Sequence, residues 1–430
     1  MGKLSISALG ALIAITSVAA PVYAESLAFN YSGSLRVRYE TLNNPIFPTS
    51  DNVRTQTNER ISTRIRLKGD AAYGNWRAVA EIEDSRAYLD DNDPTLKSSQ
   101  VNTLEPVQLY ISYHDVSEYI DSVTVGRVTL DHGSRRLIGI GHTRFRNATS
   151  SFEGALVDAH LTGWQLRGFY LFPVARFPSD SASIDDNKRA LDKSFSNRKL
   201  FGLYAVSEDK AWTVHSYWLK ESDSAELATK NRDIFTLSVD RTQRFFNSWK
   251  YNIEAMVQTG HARQTASASD VTDRNVKAWM IHSHVGKQLN KSTFLRAEVE
   301  AASGDSNSDD GTIHAFDSLY GLRRFDFGPT DVYQTFPRSN ILAPGLRSVT
   351  KISDIHNIMV GYKALWLHQV PEGEEDFLGH QVEFRWQYQV SSQLQFSLGG
   401  AYLAKGNALE TGAYPDNSAY AFTGLMYTFK

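Results

Sequence analysis

The sequence predicts an all-β protein, a transmembrane antiparallel β-barrel of about 18 strands preceded by a cleaved signal peptide. Three observations carry that expectation. The first is alternation. "RISTRIRLKGD" (60–70) sets Arg60, Ser62, Arg64, Arg66 and Lys68 against Ile61, Thr63, Ile65 and Leu67. Successive side chains of a strand point to opposite faces, so one face of this ribbon is cationic and the other is hydrocarbon. The second is length, because most alternating runs reach 11 to 15 residues, whereas a globular strand has about 5 to 6. Twelve tilted residues rise roughly 30 Å, enough to cross an apolar band of about 25 Å. The third is the rhythm of connections, in which tight turns alternate with long polar segments.

The N-terminal segment "MGKLSISALGALIAITSVAAPVYA" has a cation at Lys3, an apolar run from Leu4 to Ala20, and the small-x-small site Val22-Tyr23-Ala24. It reads as a leader over 1–24, with the barrel over 25–430 as one domain. In chain order the predicted strands are 27–41, 57–71, 74–88, 104–114, 121–130, 148–160, 163–175, 196–207, 210–221, 231–243, 247–261, 274–288, 291–303, 342–352, 355–369, 377–390, 393–405 and 418–429. "QVEFRWQYQV" is the cleanest, with Val382, Phe384, Trp386 and Tyr388 opposite Gln381, Glu383, Arg385 and Gln387. Segments 104–114 and 196–207 alternate poorly. Turns such as "YGN" (73–75), Thr162-Gly163 and "SSQ" (391–393) alternate with long loops at 42–56, 89–103, 131–147, 176–195, 262–273, 304–341 and 406–417. That is the plan of an outer-membrane barrel, with turns on one rim and loops on the other.

Composition excludes several classes. The 430 residues contain no cysteine, which removes disulfides, thiol catalysis and cysteine-based metal sites. The net charge of −3 gives no reason to expect nucleic acid. There is no G-x-S-x-G and no local nucleophile–base constellation, so no enzyme activity and no cofactor is expected. Aromatic residues at strand ends, among them Tyr39, Trp76, Trp164, Tyr170, Trp218, Trp249, Trp366 and Tyr427, read as interfacial girdles contacting lipid. The last strand ends on Phe429, an aromatic suited to the outer-membrane assembly machinery, although Lys430 follows it.

Charge is distributed unevenly. Residues 31–70 hold seven Lys or Arg (36, 38, 54, 60, 64, 66, 68) against four acids (40, 51, 59, 70). Residues 121–150 hold five Arg (127, 135, 136, 144, 146) against Asp121 and Asp131. In a narrow lumen such cations concentrate anions, and the guanidinium fork suits carboxylates. The competing reading has these arginines pairing with lumen acids such as Glu40, Glu81, Glu83, Glu298 and Glu300 and simply filling the barrel.

"GRVTLDHGSRRLIGIG" (126–141), leading into "SSFEGALVDAHL" (150–161), and "FDSLYGLRRFDFGPTD" (316–331) resemble the alginate export family of outer-membrane barrels. The resemblance implies a monomeric barrel of about 18 strands with an electropositive constriction for an acidic polysaccharide. It places Arg127, Asp131, Arg135, Arg136 and Arg144 at the constriction or in the loop folded into it. Strand parity adds Arg36, Arg38, Arg64, Arg66, Lys68 and Arg77 to the lumen. The expected function is an anion channel in the outer membrane of a Gram-negative bacterium, passing alginate or its oligosaccharides. A porin for small anions, or uptake of oligouronates in place of export, is the alternative.

Two weaker patterns concern metals. "DSNSDDG" (305–311) offers Asp305, Asn307 and Asp309 as oxygen ligands, but Asp310 stands where a calcium loop needs glycine. His282 and His284 share a strand face without an evident third ligand.

Overall fold

The computed structural model describes residues 24–45, 57–89, 96–140, 146–246, 248–307, 309–322, 324–328, 336–410 and 415–430. The expected leader lies outside these residues except for Ala24, which already belongs to the first strand, and Arg144 lies outside them as well.

Of the twenty strands among the described residues, two are two-residue pieces and the other eighteen form the wall. They are β1 (Ala24–Asn43), β2 (Thr57–Gly74), β3 (Trp76–Tyr88), β4 (Asn102–His114), β5 (Ile120–Val128), β6 (Phe152–Leu161), β7 (Trp164–Ala175), β8 (Arg198–Ser207) and β9 (Trp212–Glu221). The second half comprises β10 (Asp233–Phe245), β11 (Trp249–Ala262), β12 (Arg274–Gln288), β13 (Thr293–Ala302), β14 (Ile341–Lys351), β15 (His356–Trp366), β16 (Phe377–Gln389), β17 (Leu394–Lys405) and β18 (Ser418–Phe429). Each pairs antiparallel with the next. The barrel closes where β1 pairs with β18, from Gly33 opposite Phe429 to Asn43 opposite Ala419. Closure leaves no edge strand, as a lipid environment demands. Among the described residues no helix is long and apolar enough to cross a membrane, so the strands do the crossing.

The outward face is apolar and open: Val37 is 43 % exposed, Leu67 53 % and Val257 55 %. In water such a surface would be costly, and against lipid it is the matching solvent. The inward face of β1 to β3 carries Arg36, Arg38, Glu40, Arg64, Glu81 and Glu83, all buried.

The lumen is only partly the wet space that alternation suggested. Phe152, Phe169, Leu171, Leu200, Tyr217, Leu219, Met256 and Met280 point inward and are buried. They pack with Leu137, Ile138, Phe316, Phe327 and Phe336, which belong to two long loops folded into the barrel. An apolar loop surface inside a lumen needs an apolar wall, and this explains why β8 and its surroundings carry hydrocarbon on both faces. Close strand contact in this region depends on glycine. Gly126 (φ +132°) faces Gly154 across β5 and β6, and a Cβ on Gly126 would sit 2.3 Å from the Leu109 carbonyl oxygen.

Candidate functional site

Two segments that fold inward, around residues 135–139 and 320–322, join each other. Ile138 and Tyr320 form a parallel bridge. The Tyr320 amide donates to the Leu137 carbonyl at 3.0 Å, and the Leu322 amide donates to the Arg135 carbonyl at 2.9 Å. A side chain at Gly321 would collide with the Arg136 carbonyl, 1.8 Å from the Cβ position, so glycine is needed for this approach.

Arg136 and Arg338 then tie both loops to the barrel. Arg136 pairs with Asp326 at 2.8 Å and with Glu254 of β11 at 2.6 Å. Arg338 pairs with Glu300 of β13 at 2.7 Å and with Asp326 at 2.6 Å. Burial disfavours the Arg136 charge, but the carboxylates of Asp326 and Glu254 more than offset it and hold its pKa above the ordinary value. Asp326 is held well below the usual carboxylate range, because Arg136 and its other cationic neighbours outweigh the burial that pushes it up.

The arginines expected to line the pathway are mostly committed to the protein itself. Arg36 and Arg64 stand opposite each other on β1 and β2. Between them they take loop acceptors. Arg36 donates to Asn147 Oδ1 at 2.6 Å, and Arg64 donates to the Asn147 carbonyl at 3.4 Å. Arg38 pairs with Glu40 at 3.0 Å and Arg66 with Glu81 at 2.5 Å. Arg77 pairs with its strand-partner neighbour Asp70. Arg127 pairs with Glu105, and with Glu153 at 2.6 Å. Arg135 pairs with Asp131 at 3.1 Å, and Asp131 also accepts from the Ile140 amide at 3.0 Å. Lys68 faces the lumen, and among the described residues it forms no ion pair. The pairing alternative therefore accounts for most of this set.

A different group of arginines surrounds open space. A cavity of about 400 Å3 lies where β7 ends, β8 begins and the inward loops pass. Arg146, Arg176 and Arg198 line it, with Ser98, Ser150, Ser151 and residues Ser318–Gly321. Arg176 donates to Ser150 Oγ at 3.0 Å, its Nε has no partner, and no carboxylate among the described residues pairs with it. Burial, followed by the neighbouring Arg146, pushes the pKa of Arg176 down to about 10. The carboxylates of Asp192 and Glu83 oppose that shift without reversing it. Arg198 reaches Glu221 only at 3.6 Å, because Glu221 is already gripped by both ends of Arg232 at 2.8 and 3.0 Å. Its guanidinium lies 5.4 Å over the Tyr320 ring.

Sequence parity missed this group. Arg146 was counted in a basic stretch without a role. Arg198 sits at the start of one of the poorly alternating segments. Arg176 lies one residue beyond β7, where alternation no longer dictates direction.

The sequence matches the alginate export family over residues 28–423, nearly its whole length. The chain belongs to the alginate export family. No curated protein matches it. Among solved structures it is similar to OccK9 (OpdG) of Pseudomonas aeruginosa, with a TM-score of 0.62, 12 % identity, and 93 % of this chain and 98 % of that one covered. A BenF-like porin from Pseudomonas fluorescens Pf-5 gives a TM-score of 0.60 at 11 % identity, covering 93 % and 98 %. OpdK of Pseudomonas aeruginosa, solved with vanillate, gives 0.60 at 12 % identity over the same shares. At these identities the likeness concerns the fold. Family and fold together make this alginate export family member an outer-membrane channel of the porin type.

The calcium-like loop does not assemble a cluster. The Asn307 amide donates to Asp305 Oδ1 at 3.2 Å, and the Asp309 amide donates to Asn307 Oδ1 at 3.1 Å, so side chains cap their own turn. Among the described residues one set of three His or acidic groups converges, and it does not include these.

Proposed function

We propose that this channel passes carboxylate-bearing solutes across the outer membrane of a Gram-negative bacterium, and that Arg146, Arg176 and Arg198 form its anion-selecting station. One observation carries the reading: Arg146, Arg176 and Arg198 line a cavity of about 400 Å3, and among the described residues no carboxylate pairs with Arg176. The Arg176 guanidinium, bonded to the Ser150 hydroxyl and to no carboxylate among the described residues, binds a passing carboxylate through a charge-assisted fork, strongly enough to replace water and weakly enough to release it. The family favours uronates, as alginate or its oligosaccharides, for this role. Arg36, Arg38, Arg64, Arg66, Arg77, Arg127, Asp131, Arg135 and Arg136 then shape and hold the pathway, with Lys68 a further contact for the solute. Arg144 stays in the proposal as a constriction residue from the family pattern alone. The mature chain begins at Glu25 after export, inserts through the outer-membrane assembly machinery, and works in lipid as a monomer without cofactor.

The cavity also favours a second reading, a porin for small organic anions, since about 300–1,000 Å3 is the size of a small-molecule site. The similar OpdK was solved with vanillate, a small carboxylate. Current block separates the two. Oligouronates should interrupt the wild-type current, and Arg176→Gln with Arg198→Gln should shorten the blocks. Block by small carboxylates alone would favour the second reading. Anion preference and block unchanged in the double variant would contradict both.

A further inference from the structure

His282 is 1 % exposed, and neither ring nitrogen has a hydrogen-bond partner. Its Nδ1 stands 3.5 Å from Glu300 Oε2, an oxygen that likewise lacks a hydrogen bond, and 3.8 Å from Asp326 Oδ1. One potential ligand atom from each of the three lies within 4.8 Å of the others. Buried polar groups are ordinarily satisfied, so an imidazole with two empty positions aimed between carboxylates asks for something to fill the space.

We propose that His282, Glu300 and Asp326 bind a divalent transition-metal ion such as Zn2+. One imidazole and two carboxylates suit this class of ion. Ligand atoms about 2.0–2.1 Å from a tetrahedral centre stand roughly 3.4 Å apart, so the two distances from His282, 3.5 and 3.8 Å, need little closure, and the two carboxylates would draw together on the ion. The arginines leave room on one side. Arg338 holds the other oxygen of Glu300 and Oδ2 of Asp326, while Arg136 Nη2 donates to Asp326 Oδ1 at 2.8 Å and would share that atom. Three carboxylates, those of Glu254, Glu300 and Asp326, meet two guanidiniums in this knot, so a cation is not placed among unopposed positive charge. Lys363, Arg347 and Arg296, the next cations, are engaged by Glu298 at 3.1, 2.9 and 2.6 Å. His284, whose ring centroid is 5.8 Å from that of His282, is a neighbour and not a required ligand. Water completes the coordination.

The topology gives the ion a role. His282 and Glu300 belong to the wall strands β12 and β13, whereas Asp326 belongs to an inward loop. Bound metal would fasten that loop to the wall. The proposal is independent of the solute, because no residue of the arginine cavity is a ligand.

The test is a calorimetric titration of the refolded, chelator-stripped chain with Zn2+, with Co2+ absorption as a second readout. One saturable site per chain is expected, and Co2+ should show a low-symmetry spectrum unlike that of the hydrated ion. His282→Gln and Asp326→Asn should each weaken binding at least about tenfold. Asp309→Asn, on the exposed loop, should leave it unchanged. Absence of saturable binding by the wild-type chain overturns the proposal. So does undiminished binding by His282→Gln or Asp326→Asn. Should His282→Gln fail to refold, the wild-type titration and Asp326→Asn, altered in the loop and not the wall, decide the matter.

Discussion

The carboxamide of Asn147 donates to the carbonyls of Thr63 at 2.7 Å, Gln100 at 3.0 Å and Arg86 at 3.2 Å, and accepts from Arg36 at 2.6 Å. One fully buried side chain thus links a loop to β1, β2, β3 and the segment before β4. Asn147→Ala deletes all four bonds and leaves buried groups without partners, at about 1–3 kcal/mol for each. The barrel should still fold, but trypsin should cut at the arginines of residues 129–151 faster than in the wild type. Equal cleavage rates would show that the pin does not hold the loop. The same geometry explains the cationic ribbon of residues 60–68. Arg64 serves loop carbonyls, and Arg60 and Arg66 serve Glu40, Glu81 and Glu83. Alternation revealed that these side chains face inward. It could not reveal what they meet, because their partners are distant in sequence: Arg36 and Asn147 are 111 residues apart.

At the scale of elements, the wall strands were legible to within four residues at each end, whereas the inward loops were not. A strand that must bury one face in lipid repeats a two-residue pattern over its whole length, as in 377–389, and that pattern is local. A loop that folds inward does so through scattered apolar residues such as Leu137, Ile138, Phe316 and Phe336, and these have no period. Their docking should depend on pH. His132 is buried, stacked on Tyr204 at 4.5 Å and hydrogen-bonded to Tyr217 at 2.7 Å. Burial, aided by the charges of Arg167 and His215, holds its pKa well below the ordinary 6.5. Proton uptake therefore favours the undocked loop, so docking is complete above pH 6.5 and weakens as pH falls below it. Tryptic cleavage between residues 129 and 140 should rise from neutral pH towards about pH 5, and His132→Phe should flatten the profile. A separate expectation concerns Arg136→Gln, which leaves Glu254 without its cation and Asp326 with Arg338 alone. Breaking a buried pair from one side costs about 3–5 kcal/mol, and the variant should show larger, noisier single-channel currents. Quiet, unchanged currents would mean that the knot does not set the pore.

For the whole molecule, fold and site follow from one division of labour. The outer face matches lipid, the wall closes through the pairing of β1 with β18, and the inward loops pack against the inside of the barrel. The outer face can be tested by itself. Val360, 44 % exposed near the middle of β15, should lose about 2–4 kcal/mol of stability in lipid on replacement by arginine, and refolding against denaturant measures it. Inside, Arg146, Arg176 and Arg198 around the cavity are proposed to give the channel a preference for anions. The most direct measurement is the reversal potential of the refolded chain, residues 25–430, in a planar bilayer under a salt gradient. A potential on the anion side, collapsing towards zero in Arg146→Gln/Arg176→Gln/Arg198→Gln, is the result this account predicts. A cation-selective or indifferent pore, or a triple variant as anion-selective as the wild type, would contradict it.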